Sequence, residues 1–335
     1  MSSSISNSDY KKPCISAVTA LIMLAAMFAL RPHLDYRYRD TGLQESHFWQ
    51  QKYEAKGDYD YVIAGDSRVY HGVVPEEIES ILGGARVLNF GFSATGFGRD
   101  YLERLPQLLN PEGEQRIVFS MTPWSLTQEA MKDNGYLHNG RKRNIVERLE
   151  DAWGAHFPPI QFPDLFAILG PESVGRRLNR VHSHYHTTGW VEIRVSRMES
   201  WGSTAGYTAI FKNNQVEEAT VAIFLDYIAQ FSARGIQVFG MRMPIDRQLR
   251  EVEGRASGLD WVHFLKRFND SGGIWLGQFD DEEYKTYDGS HLTGDEARRF
   301  SRTLAQELRR ARKVDVAIDS SPDGKPGKRP GEEFL

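Results

Sequence analysis

One cysteine, Cys14, is all the thiol chemistry that this 335-residue chain carries. Without a second cysteine there is no intramolecular disulfide and no thiolate metal cluster to organise the fold. An excess of one charge is lacking too. The 41 basic and 45 acidic residues leave a net charge of -4, which gives no global reason to expect nucleic acid as a partner. No internal repeat is evident. Nucleotide signatures are missing as well: "GFSATGFG" has neither the Lys-Ser/Thr of a phosphate loop nor the spacing of the dinucleotide fingerprint, so nucleotide binding is rejected. No cofactor and no metal are expected.

Long apolar runs are equally scarce, and one stands out. "CISAVTALIMLAAMFAL", Cys14 to Leu30, is an uncharged run of 17 residues between Lys11-Lys12 and Arg31. As a helix it would span roughly 25 Å, the short end of what crosses a bilayer. It is read as a transmembrane signal anchor over residues 14–30, after a short tail of residues 1–13. A cleaved signal peptide is disfavoured because no good A-x-A site follows, and a buried core helix is the third alternative. Arg31, Arg37 and Arg39 balance the lysine pair and the terminal amine, so the charges alone do not orient the anchor.

Residues 31–56 read as a juxtamembrane stalk with room for a short helix. The chain then alternates between two periods. "YDYVIAG", "ARVLNFG" and "QRIVFSM" are apolar strands. Between them, "VVPEEIESIL" starts a helix with Pro75 near its first turn, and "GRDYLERLPQLL" puts Leu102, Leu105, Leu108 and Leu109 on one face, with a kink or break at Pro106. Continuous apolar strands separated by helices predict a parallel sheet covered on both faces. Right-handed crossovers then gather the strand ends on one edge, where ligands bind in such sheets. Ser67, the "GFSATG" loop and "TPWS" converge there. Residues 130–212 break the rhythm and read as a long insertion or cap. The alternation resumes with a helix ending at Gly235, the strand "IQVFGMRMP" and the candidate strand "GIWLGQF". A final helix follows, entered by Thr293 and Glu296 as a capping box, with Ala297, Phe300, Leu304 and Leu308 as its core stripe. The domain is placed at residues 57–312, and residues 313–335 have the composition of a disordered tail.

The first strand delivers "GDS" to that ligand edge. A serine hydroxyl needs a base to become a nucleophile, and the base needs a carboxylate to hold its tautomer. "DGSH" offers both, with Asp288 three residues before His291 and just ahead of the last helix. Oxyanion donors are expected from the Ser67 N–H and from the free N–H groups of the second loop around Gly91 to Ala94. Position 69 is valine, so Ser67 is not in a G-x-S-x-G elbow, which argues against an α/β-hydrolase.

Together, "AGDSRVY", "NFGFSATG" and "YDGSHLTGDEARRF" resemble the SGNH (GDSL-type) hydrolase superfamily. The resemblance covers about residues 58–312 without the insertion, and implies a three-layer α/β/α, flavodoxin-like domain. It also implies Ser67 as nucleophile, His291 as base and Asp288 as the residue orienting it. Two positions depart from the pattern. Ala94 stands where the second block usually has an oxyanion glycine, and "SMTPWS" stands where the third block usually reads G-x-N-D. One oxyanion donor is therefore missing, or replaced by Ser120, Thr122 or a group from the insertion. An anchor before a divergent domain of this kind is similar to membrane-tethered proteins of cell-surface polymer O-acylation. That similarity implies a single-pass protein of the cytoplasmic membrane with its domain outside. A cell-surface glycan and a polytopic membrane acyltransferase would be its partners. Esterase and O-acyltransferase activity both fit, as does a non-catalytic module that keeps the fold.

Other conspicuous residues have plainer readings. The alternating His182, His184 and His186 read as a polar strand or loop rather than a metal site. Arg141, Lys142, Arg143, Arg176, Arg177 and Arg180 read as a solvated face, or else a platform for an anionic glycan. Trp124, Trp153, Trp190 and Trp201 are core candidates before they are sugar platforms.

Overall fold

A computed structural model describes residues 45–132, 135–139, 181–195, 203–277 and 279–319. The strands are β1 (Tyr61–Gly65), β2 (Val87–Gly91), β3 (Arg116–Ser120), β4 (Val181–Tyr185), β5 (Val191–Val195), β6 (Gln237–Met241) and β7 (Gly273–Trp275). Five of them form one sheet in the order β2-β1-β3-β6-β7, and every pairing in it is parallel. Counted within the sheet, the order is 2-1-3-4-5, the flavodoxin-like winding. Its crevice opens where the order reverses, between β1 and β3. β4 and β5 form a separate antiparallel hairpin.

The described helices are α1 (Glu45–Glu54), α2 (Ser67–Gly72), α3 (Pro75–Ile81), α4 (Arg99–Arg104), α5 (Gln128–Lys132), α6 (Gly135–Asn139), α7 (Ser203–Asn213), α8 (Glu218–Ala233), α9 (Arg247–Ala256), α10 (Trp261–Asp270) and α11 (Gly294–Asp319). Alternate strand residues feed two separate cores. Val62, Ala64, Leu88, Phe90, Ile117 and Phe119 pack with Leu102, Phe224, Ile228, Phe264 and Phe268 of α4, α8 and α10. Tyr61, Ile63, Val87, Val118 and Phe239 pack on the opposite face with Val69, Ile78, Phe300, Leu304 and Leu308 of α2, α3 and α11. A period of two along each strand therefore builds three layers from one sheet.

Local chemistry explains most boundaries. Pro75 sits in the first turn of α3, followed by Glu76 and Glu77 at the positive end of the helix. Pro106 does not kink a continuous helix. It tightens the chain after Arg104 into a 3-10 turn over Leu105–Leu108, since its ring has no N–H to give. Gly235 takes the left-handed conformation, φ +79°, that closes α8.

Two expected boundaries move. The stalk is not free of the domain from Glu45 onward: α1 buries Phe48 against Val191 and Ile193, and buries Lys52 as well. The last helix runs on to Asp319, past the start of the expected tail. The expected anchor, residues 14–30, lies outside the described residues. Among the described residues no helix is long and apolar enough to cross a membrane. The basic cluster at 141–143, Arg176, Arg177, Arg180, Trp153 and Trp201 also lie outside them. Trp190 is a core residue, fully buried.

Phe224 joins the core of the first face, with ring centroids 4.8 Å from Phe97 and 5.2 Å from Phe119. Phe224→Ala is expected to cost about 3–5 kcal/mol, because close-packed neighbours collapse only partly into the cavity. Chemical denaturation of both proteins measures this, and a loss below about 1 kcal/mol would contradict the packing described.

Candidate active site

The site grows from the end of β1. Gly65 is required there by space, since a Cβ would lie 2.5 Å from Cγ2 of Val69 and 3.1 Å from Cβ of Ser120. The next residue, Asp66, is buried and caps α2. One carboxylate oxygen accepts the Arg68 N–H at 3.0 Å, and the other accepts the Thr122 hydroxyl at 2.9 Å. Asp66 thus shapes the turn and joins the ends of β1 and β3. Ser67 follows as the first residue of α2, half-buried, with its backbone N–H among those a helix leaves unpaired.

His291 arrives from the opposite end of the chain. Its Nε2 lies 2.7 Å from the Ser67 Oγ, and its Nδ1 lies 2.7 Å from Oδ2 of Asp288. The other Asp288 oxygen accepts the backbone N–H groups of Ser290 and His291, at 2.9 and 2.8 Å. Burial works to raise the Asp288 pKa. The bond to His291, its charge and the two N–H groups outweigh that and hold the carboxyl below its ordinary range. An ionised Asp288 fixes Nδ1 as the protonated nitrogen and leaves the Nε2 lone pair facing Ser67. Tyr287 stacks on the His291 ring with centroids 5.7 Å apart.

The expected oxyanion donors divide. Ala94 is exposed at φ +50°, in the left-handed region that favours glycine. The Ala94 N–H makes no hydrogen bond among the described residues. Trp124 Nε1 donates to the Ala94 carbonyl at 3.2 Å and braces that turn. Gly91 is corrected: its N–H is spent on Oδ1 of Asn89 at 3.1 Å. Its lack of a side chain serves packing, since a Cβ would meet Tyr70 N at 2.6 Å. Thr122 is corrected as well, because its hydroxyl is engaged by Asp66 and by Ser125 Oγ at 2.8 Å. Ser120 is buried in the same stretch, and its hydroxyl has no hydrogen-bond partner among the described residues.

His71, which no motif singles out, stands four residues after Ser67 on the same helix. Its ring meets that of His291 edge to face, with centroids 5.2 Å apart, and its Nδ1 bonds the Val191 carbonyl at 3.1 Å. The alternating histidines fall on β4 and the hairpin turn. His184 and His186 pack ring against ring at 4.5 Å, and among the described residues no group of metal-ligating side chains assembles.

No protein-family model matches the chain, and no curated protein matches it. Two solved structures are similar to it. One, from Streptococcus pneumonia and named for a platelet activating factor, is 12% identical over 86% of this chain and 98% of its own, with a TM-score of 0.33. The other is a carbohydrate acetylesterase family member from Sinorhizobium meliloti. It is 11% identical over 75% of this chain and 97% of its own, with a TM-score of 0.31. At such scores the chemistry must be argued from the side chains themselves.

Burial pushes the His71 imidazole well below its ordinary range, and the neighbouring His291 adds to the shift. As pH falls through the unfolded value of about 6.5, the unfolded chain gains a proton that the folded chain refuses. The contribution of this site to stability is complete above that value and declines below it. His71→Asn, which can still donate to the Val191 carbonyl, is expected to flatten the fall in Tm between about pH 7.5 and 5.5. Equal slopes in the two proteins would show that His71 does not couple folding to protons.

Proposed function

We propose that this chain is an SGNH-type serine enzyme that carries an acyl group, acetyl in the simplest case, on Ser67. The hydrogen-bonded row Asp288–His291–Ser67, with both contacts at 2.7 Å, carries the reading. Ser67 Oγ attacks the carbonyl carbon of an ester donor while its proton passes to Nε2 of His291. Negative charge develops on the carbonyl oxygen opposite the Ser67 and Ala94 N–H groups. Asp288 stays ionised and compensates the imidazolium. Collapse breaks the ester bond, His291 returns the proton to the departing alcohol, and acyl-Ser67 remains. An acceptor hydroxyl then gives its proton to His291 and attacks the acyl carbon; the bond from that carbon to Ser67 Oγ breaks, and His291 returns the proton to Oγ. If the acceptor is water the enzyme is an esterase, and if it is a sugar hydroxyl it is an O-acyltransferase. An extracytoplasmic glycan acceptor, a membrane anchor at residues 14–30 and a polytopic acyltransferase as partner belong to the same proposal. Their support is the uncharged run at the N-terminus and the resemblance of the motifs.

A second reading has an observation in its favour. With Thr122 and Gly91 otherwise engaged and no asparagine in the stretch 120–125 after β3, the donors that this reading leaves beside Ser67 among the described residues are the main-chain N–H groups of Ser67 and Ala94. A fold-preserving binding module of a polymer-modification complex would tolerate that loss.

The full chain in detergent, treated with a fluorophosphonate probe, is expected to gain one adduct at Ser67, read by peptide mass spectrometry. Ser67→Ala should gain none. Asp288→Asn should lose about 10³–10⁴-fold in kcat on an acetyl ester, through the wrong tautomer of His291. Absence of an adduct, where an active serine esterase labels under the same conditions, would favour the binding module. Release of the acyl group with and without an added glycan then separates transfer from hydrolysis.

A further inference from the structure

Directly after Ser67 comes an arginine whose side chain is only 2% exposed. From there Arg68 reaches two elements far away in the chain. Its Nε donates to the Ser290 Oγ at 3.0 Å, and one terminal nitrogen donates to Oε1 of Glu253 in α9 at 2.6 Å. Glu253 is fully buried, and its second oxygen accepts from Arg242 at 3.0 Å. Arg242 lies over the Trp261 ring, 4.0 Å from guanidinium carbon to centroid. On the outer side, Tyr207 of α7 places its hydroxyl 3.2 Å from the Ser290 Oγ, and its ring faces Arg68 at 5.5 Å.

We propose that Arg68 is the positioning residue that sets the Ser67–His291 contact, by binding the segment that carries the base to the segment that carries the nucleophile. The inference rests on the serine reading above and adds a residue that the acyl-transfer steps do not use. Arg68 is bonded covalently to Ser67, and Ser290 is bonded covalently to His291. The Arg68–Ser290 hydrogen bond therefore closes a short ring through the Ser67–His291 contact. The Asp288 carboxylate fixes the His291 end of that ring through the Ser290 and His291 N–H groups. Glu253 fixes the other end, because a guanidinium bound at two edges cannot rotate.

A buried ion pair is weak evidence for stability as such, since apolar residues of similar volume often do as well. What this one supplies is direction. A lysine ammonium is a point charge and does not present two donors in a rigid plane to Ser290 and Glu253 at once. A displacement of about 1 Å between nucleophile and base is enough to cost about a hundredfold in rate.

Three full-chain variants test this with the fluorophosphonate probe and an acetyl ester. Arg68→Lys is expected to lower kcat and the rate of Ser67 labelling together by about a hundredfold, with KM within about twofold of the starting protein. Ser290→Ala removes one hydroxyl and leaves the buried ion pair in place. It should lower both rates about tenfold with KM within about twofold of the starting protein, and lower the thermal midpoint less than Arg68→Lys does, since only one acceptor is lost. Glu253→Gln keeps a hydrogen-bond acceptor and should fall between the two. If Arg68→Lys does not fold, Ser290→Ala alone decides. Labelling and kcat at the starting level in Ser290→Ala, or a change confined to KM, would overturn the positioning role. An unlabelled starting protein would instead remove the serine reading and this inference with it.

Discussion

The Asp66 carboxylate is the hinge on which the site is assembled. It sits between the ends of two neighbouring parallel strands and divides its two oxygens between them. One oxygen holds the first turn of α2 through the Arg68 N–H, and the other holds β3 through the Thr122 hydroxyl. Strand spacing in a parallel sheet is set by its backbone hydrogen bonds. A residue tied to both strand ends inherits that regularity, and Ser67 is the next residue along. The crevice of a flavodoxin-like winding opens at the same place, between β1 and β3. Topology and one carboxylate thus fix where the hydroxyl stands.

Helix α2 could not hold that position unaided. A helix of six residues is too short to be stable by its own hydrogen bonds. Distant side chains supply what it lacks. The buried amide of Asn89 donates to the carbonyls of Val69 and Val73, at 2.8 and 2.7 Å. Trp190 Nε1 donates to the His71 carbonyl at 2.9 Å, and the Ser301 hydroxyl accepts the Val74 N–H at 2.8 Å. The strand edge, the β4–β5 hairpin and the last helix each grip one end of the same short element. The hairpin also covers β2, where Asn89 donates its N–H to the Thr188 carbonyl at 3.1 Å. An edge strand that would otherwise be open to pairing is closed by this contact.

How much of this could be read from the chain depends on range. The strands around "YVIAG", "VLNFG" and "RIVFS" declare themselves because a strand buried on both faces must be apolar throughout. The stripe Ala297, Phe300, Leu304 and Leu308 does so through helical spacing, and "DGSH" through proximity along the chain. The pairing of Asp288 with His291 is a local matter. Its meeting with Ser67, 224 positions away, follows only once the sheet order is known. What stayed hidden was every polar contact made across elements. Asn89 falls in the apolar run "ARVLNFG" and Lys52 in the stretch read as a stalk, and no motif sets Glu253 apart. Lys52 instead donates to the Gly189 carbonyl at 2.8 Å beneath a surround of Phe48, Trp49, Tyr70 and Phe92. Such burial pays no heed to hydrophobic periodicity and leaves no local trace. The Thr122 hydroxyl is spent in the same way, on Asp66 56 positions away.

Ala94 holds a left-handed conformation without being glycine. A left-handed turn presents its donor through the main chain, and the same holds for the first residue of a helix. On the serine reading, the groups that meet the developing charge would then belong to no side chain. Alanine scanning would register Asp288, His291 and Ser67 and pass over the other half of the machinery in silence. Replacing single backbone amides with esters, which deletes one N–H and keeps every side chain, is the chemistry that would make that half visible.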